Sequence, residues 1–162
     1  MTVQPMTQFV TLGIDRETFA LPVETVREIL DMCEISKLPN APQQLLGMID
    51  VRGTAVPVID LRTKFGLPRI DATPNTRILV LEFAAQGRKT LIGLVADRVF
   101  EVTGLDDDRL DPAPETGCQW QSNHIAGIGR RGDKFVVVLD LGRLLADDTP
   151  TLITNTTNQE AA

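Results

Sequence analysis

Residues 47–61 read GMIDVRGTAVPVIDL, and residues 127–141 read GIGRRGDKFVVVLDL. In each stretch a Gly is followed thirteen residues later by Asp-Leu, and an Arg-Gly stands between them, offset by one residue. In the first copy, Arg52-Gly53 divides two short apolar runs, 45–51 and 54–59. A Gly at that place supplies the positive φ of a tight hairpin. Pro57 puts the second run at a sheet edge or a bulge. Asp60 and Asp140 stand as N-caps of short helices, their carboxylates able to accept from exposed amides. A turn-and-strand device used twice predicts a protein built from two similar halves.

The rest of the chain extends the pattern. Residues 8–14 (QFVTLGI) alternate, and 18–23 (TFALPV) form the returning run of a hairpin. Val23, Val26, Ile29 and Leu30 then fall at helical spacing, so 23–30 is expected to be a short amphipathic turn or helix. Gly66 ends the helix that starts after Asp60, and Pro68 bars its continuation. The Pro-rich 67–75 is the boundary between halves. Runs 77–83 and 90–95 form another hairpin, 99–105 a further strand or bend, and 106–117 an acidic loop. Runs 124–130 and 134–139 repeat the opening device, and 142–145 closes with a short helix.

Nine or ten short strands with little helix predict an all-β barrel or sandwich, and a duplicated small barrel fits best. A half of ~60 residues is marginal alone, so a shared apolar interface is expected. The expected unit is one domain over 8–147, with approximate halves 8–67 and 76–145, strand exchange being possible. Residues 1–7 and 148–162 are expected to be flexible tails.

Composition narrows the function. Hydrophobic residues are 43% of the 162, enough to build a core, and aromatics only 4%, so that core is aliphatic. A formal charge of −6 argues against a nucleic-acid binder. Cys33 and Cys118 lie far apart and suggest a reducing compartment rather than a disulfide framework. The N-terminal residues show no signal-peptide pattern, and no apolar run approaches the ~20 residues of a membrane span.

Chemistry is hard to find. Residues 127–132 spell GxGxxG, but a strand pattern follows instead of the helix that would receive a pyrophosphate. Asp106, Asp107, Asp108 and Asp111 lack the Gly and Glu of a calcium loop. His124 is the single histidine, too few for a zinc set. No nucleophile–base pair stands out. No catalytic residue, metal or cofactor is expected, and the remaining features concern surfaces.

Taken in order, QFVTLGI, FALPVETVREIL, LPNAP, LLGMIDVRGTAVPVIDLRTKFG, IGLVADRVFEV and HIAGIGRRGDKFVVVLDLGRLL resemble the CheW family of chemotaxis coupling proteins, from about residue 8 to 145. The resemblance implies two intertwined five-stranded SH3-like β-barrels around a common core. It implies a non-catalytic, cytoplasmic adaptor, monomeric in isolation, that joins chemoreceptor cytoplasmic tips to the regulatory domain of the histidine kinase CheA in membrane-associated arrays. By position, Val26 and Glu28 match the family's V-x-E-I, implicated in partner contacts. Gly47 and Arg52 match the Gly and Arg around its Asn-Leu-Arg-Gly turn. Val99 and Val102 match an apolar wall of the groove that receives the receptor tip. The turn's usual Asn is Asp50 here. A carboxylate only accepts hydrogen bonds, so Asp50 either pairs with Arg52 or alters partner choice. Two other readings stay open: a coupler of a non-flagellar array, serving twitching or surface signalling, and a generic SH3-like binding module. A β-barrel enzyme or metal protein using Asp106–Asp111 or His124 is the remaining rival.

Overall fold

A computed structural model describes residues 8–85, 87–106, 110–112 and 124–146. The expected tails, Cys118 and most of the acidic loop lie outside these. Ten strands run along the described chain: β1 (Phe9–Ile14), β2 (Glu17–Pro22), β3 (Val26–Asp31), β4 (Leu45–Val51), β5 (Thr54–Asp60), β6 (Arg77–Ala85), β7 (Arg88–Ala96), β8 (Arg98–Thr103), β9 (Ile125–Arg131) and β10 (Lys134–Leu139). Two one-turn helices, α1 (Leu61–Lys64) and α2 (Leu141–Leu144), follow β5 and β10. Their N-caps are the expected aspartates: Asp60 accepts from the amide of Arg62, and Asp140 from that of Arg143.

The strands form two five-stranded sheets, ordered β8-β1-β2-β10-β9 and β3-β6-β7-β5-β4. The two orders are one pattern. Each has a single parallel pair, β2–β10 in the first sheet and β5–β7 in the second, and antiparallel neighbours elsewhere. Each run of five consecutive strands is divided alike. Its first two strands go to one sheet and its last three to the other, so the sheets are interlaced. A single bridge draws the edges of each sheet together. Ser36, beyond β3, exchanges hydrogen bonds of 2.9 and 2.8 Å with Met48 of β4, and Asp111, beyond β8, exchanges bonds of 2.8 and 2.7 Å with Ile128 of β9.

The two glycines of the repeat sit under these bridges. A Cβ on Gly47 would lie 2.1 Å from the Ser36 carbonyl oxygen, and one on Gly127 would lie 2.8 Å from the Leu110 Cβ and 3.2 Å from the Asp111 oxygen. Only glycine lets the crossing strand approach so closely. The hairpin register shifts at both places, between Leu45 and Gly47 and between Ile125 and Gly127.

Burial follows from this layering. Leu12, Phe19 and Val137 of the first sheet face Leu79, Leu81 and Leu94 of the second in one central core, which Leu61 of α1, Leu144 of α2 and Leu145 just beyond it cap. A smaller cluster belongs to each sheet, one around Phe9, Val136 and Val138, the other around Ile49, Val56, Val58 and Ile78. Strand β1 is therefore buried on both faces throughout. Between the sheets, Arg62 of α1 is buried, with Nη1 2.6 Å from Asp97 Oδ2 and Nε donating to the Pro68 carbonyl at 2.9 Å. Asp97 is the one residue separating β7 from β8, and it also accepts from the Asp15 amide at 2.6 Å.

Two local expectations are corrected. Residues 23–30 are not one amphipathic turn or helix, since 26–30 are strand. A 3-10 turn (Val23–Thr25) leads into β3, which pairs with β6. The helix-like spacing has another origin, a bulge described below. Pro57 lies in an interior strand, flanked by β4 and β7. The ladder to β7 begins only at Val58, so no β7 carbonyl is paired at Pro57.

Candidate functional site

The β4–β5 tip is a two-residue loop closed by the pair Val51–Thr54. Arg52 has φ 52° and Gly53 φ 84°, the two positive angles of a type I′ turn. Asp50 Oδ1 accepts from the Gly53 amide at 2.7 Å. The carboxylate thus uses its acceptor on the turn itself, where an Asn carbonyl would serve equally. Arg52 does not pair with Asp50. Its Nη1 lies 3.2 Å from Glu28 Oε2, with 83% of the Arg52 side chain exposed and 23% of the Glu28 side chain. An ion pair so open to solvent contributes less than about 1 kcal/mol to stability. Its main physical effect is to orient the guanidinium and to join two of the expected residues.

Val26, Val99 and Val102 lie on the edge strands β3 and β8, and both strands are bulged. In β8, Val99 stands opposite Leu12 and Val102 opposite Val10, with a register shift between. Directly opposed residues share a face. Val10 and Leu12 both point into the central core. The extra residue of the bulge therefore turns Val99 and Val102, three apart, to one side. Val99 packs against that core, while Val102 is 51% exposed.

Strand β3 repeats the arrangement. Val26 stands opposite Leu81 and Ile29 opposite Leu79, again three residues against two. Leu79 and Leu81 belong to the same central core, and Val26 packs against it, while Ile29 is 41% exposed. Glu28, opposite Val80, is turned to the other face. Each edge strand thus offers the inter-sheet side one valine seated on the core and a second apolar residue left open to solvent. Ile29 ends the V-x-E-I stretch but is not among the six expected residues. Its signal in the sequence is the i, i+3 spacing of Val26 and Ile29, which by itself reads as an amphipathic turn or helix.

The structure does not bring all six expected residues together. Glu28 and Arg52 are paired, Val26 and Val99 meet the same core, and Val102 shares the face of Val99. Gly47 is buried in β4 beneath Ser36, where its role is to admit the crossing chain.

The motifs set aside earlier also find their places. The GxGxxG of 127–132 runs through β9 into a hairpin turn. His124 is buried, and its carbonyl accepts from the Asp140 amide at 2.8 Å. Among the described residues, no three His, Cys, Asp or Glu side chains gather as a metal site would require. A cavity of 520 Å³ opens between the β1–β2 turn, the end of α1 and the start of β9, lined by Ile14, Phe19, Phe65 and His124 among others. None of the six expected residues lines it.

Comparison with known proteins identifies the family and matches the fold. Residues 8–149 match the family described as a CheW-like domain. Chemotaxis protein CheW of Helicobacter pylori is 32% identical, over 87% of this chain and 82% of its own length. Chemotaxis protein CheW of Klebsiella aerogenes is 28% identical, over 91% of this chain and 87% of its own. The crystal structure of the scaffolding protein TtCheW from Thermoanaerobacter tengcongensis superposes with a TM-score of 0.76 at 28% identity, covering 88% of this chain and 90% of that one.

Proposed function

Because the chain belongs to the family of CheW-like domains, we propose that it is a non-catalytic adaptor coupling chemoreceptor cytoplasmic tips to a CheA-type histidine kinase. Residues 8–147 act as one unit in this reading. The regulatory domain of the kinase docks on the tip of the β4–β5 hairpin, where Arg52 and Glu28 select it by charge and register. The receptor tip lays an apolar helical face along the inter-sheet side, against Val26, Val99 and Val102, and Ile29 joins that wall.

One observation carries the reading. Arg52 and Val102 are both open to solvent, yet they stand on different sheets of one interlaced body. Two partners can therefore be held at once in a fixed relation, and holding them is the task of an adaptor. Coupling follows from contacts that differ between the kinase-on and kinase-off arrays. No helix among the described residues is long and apolar enough to cross a membrane. The protein works in the cytoplasm in this reading and reaches the array through its partners.

The test is a pair of titrations, one with the kinase regulatory domain and one with a receptor cytoplasmic fragment from the same cell. Arg52→Ala is expected to weaken the kinase domain by about tenfold or more and to leave the receptor fragment unaffected. Unchanged binding of both partners by Arg52→Ala would remove Arg52 from the site.

A further inference from the structure

The β8 bulge has a keystone. Opposite its extra residue stands Thr11 of β1, which is buried. The Thr11 hydroxyl donates to the Glu101 carbonyl at 2.9 Å and accepts from the Glu101 amide at 3.2 Å. A bulge leaves one backbone donor and one acceptor outside the ladder. Here a single hydroxyl from the neighbouring strand satisfies both. The equivalent place in the second sheet, between Leu79 and Leu81, is Val80, which has no such group. There the extra residue, Arg27, is tied through its side chain to Glu82 at 2.5 Å. The two bulges are thus held by different means, and only the one in β8 depends on a buried hydroxyl.

We propose that Thr11 is a positioning residue for partner recognition: by filling the β8 bulge it holds Val99 and Val102 on one face, where they form the apolar wall. Thr11 touches no partner itself. Without the bulge, the alternation of a regular strand would send Val99 and Val102 to opposite faces. One of them would leave the inter-sheet side. The inference rests on the adaptor reading for what the wall binds, but the geometry it asserts can be judged without any partner.

The experiment compares wild type, Thr11→Val and Thr11→Ser. Thr11→Val keeps the shape and removes the hydroxyl; Thr11→Ser restores the hydroxyl. Methyl NMR on the free proteins reads the contacts Val102–Val10 and Val99–Leu12. Titrations read the affinity for the receptor cytoplasmic fragment and for the kinase regulatory domain. Thr11→Val is expected to lose the Val102–Val10 contact and to bind the receptor fragment about tenfold more weakly, with the kinase domain unaffected. Thr11→Ser is expected to recover both the contact and the affinity. If Thr11→Val keeps both methyl contacts, or keeps wild-type receptor affinity after losing them, the proposal is overturned. An equal loss of both partners would reduce Thr11 to a residue of general stability and would also overturn it. If Thr11→Val does not fold, failure of Thr11→Ser to match wild type in contacts and receptor affinity overturns it. Should the wild type ignore the receptor fragment, the adaptor reading of the groove falls, and the methyl contacts alone decide whether Thr11 holds the bulge.

Discussion

The β4–β5 and β9–β10 hairpins are built to one plan and end differently. Each carries a glycine under a crossing backbone, a bulge beside it, a parallel neighbour on its inner side and an aspartate that caps the following helix. Their tips diverge. In the first, both loop residues have positive φ, and Asp50, three residues from Gly53, caps its amide. In the second, the positive φ is at Gly132, the first loop residue, and the cap is Asp106, 26 residues away in sequence. Arg52 lies within its loop. Arg131 instead ends β9, 3.9 Å from Glu101, and the residue in Arg52's place is Gly132. This is the origin of the one-residue offset between the two Arg-Gly pairs. Strand positions are held in step because both sheets must meet the same core. A loop tip buries nothing and is free to take a new role.

The glycines sharpen the comparison most. Gly47→Ala would place a Cβ against backbone at a φ of +149°, and it is expected to cost about 3 kcal/mol or more, or to prevent folding. Gly127→Ala meets mainly the Leu110 side chain at an ordinary φ and is expected to cost about 1–2 kcal/mol. Urea denaturation of the two variants checks the ranking, and equal midpoints would mean that the two bridges impose the same constraint. A smaller effect separates the tips. Asp50→Ala removes the bond to the Gly53 amide and is expected to cost about 1 kcal/mol. Asp50→Asn is expected to stay within about 0.5 kcal/mol of wild type, because an amide oxygen can accept the same bond. A large loss in Asp50→Asn, seen by thermal unfolding, would show that the charge itself matters at this turn.

Arg52→Gly is expected to change stability least. Relief of a left-handed backbone of about 1 kcal/mol is offset by glycine entropy and a lost surface ion pair, leaving about 0.5 kcal/mol or less either way. Its effect is expected in binding instead, with the kinase domain weakened by about tenfold. A variant that becomes much less stable would recast Arg52 as a structural residue, and the contrast between the tips would lose its meaning.

These differences explain what the residues could disclose in advance. The repeat, the hairpins at 8–23 and 45–59, the aspartate caps and the aliphatic core were legible, because each rests on short-range chemistry. Turn glycines, alternation and N-caps act within a few residues. The inter-sheet bulges were not legible. A bulge is defined by the strand opposite, and Leu79 and Leu81 lie some fifty residues from Val26 and Ile29. Alone, an i, i+3 apolar pair reads as helix. The closeness of Glu28 to Arg52 was hidden for the same reason, since the fold brings the β3 edge to the β4–β5 tip. The resemblance points to Gly47 by position alone, and the close approach of the Ser36 backbone to it is set by a bridge that local sequence does not show.

The most direct test of the central claim is calorimetric titration of the protein against the kinase regulatory domain and, separately, the receptor cytoplasmic fragment, using wild type, Arg52→Ala and Val102→Asp. The account predicts saturable one-to-one binding of each partner by the wild type. Arg52→Ala should weaken only the kinase domain, and Val102→Asp only the receptor fragment. No binding of either partner by the wild type at concentrations of about tens of micromolar, a range ordinary for transient signalling contacts, or loss of both partners in each variant, would contradict an adaptor with two separate recognition surfaces.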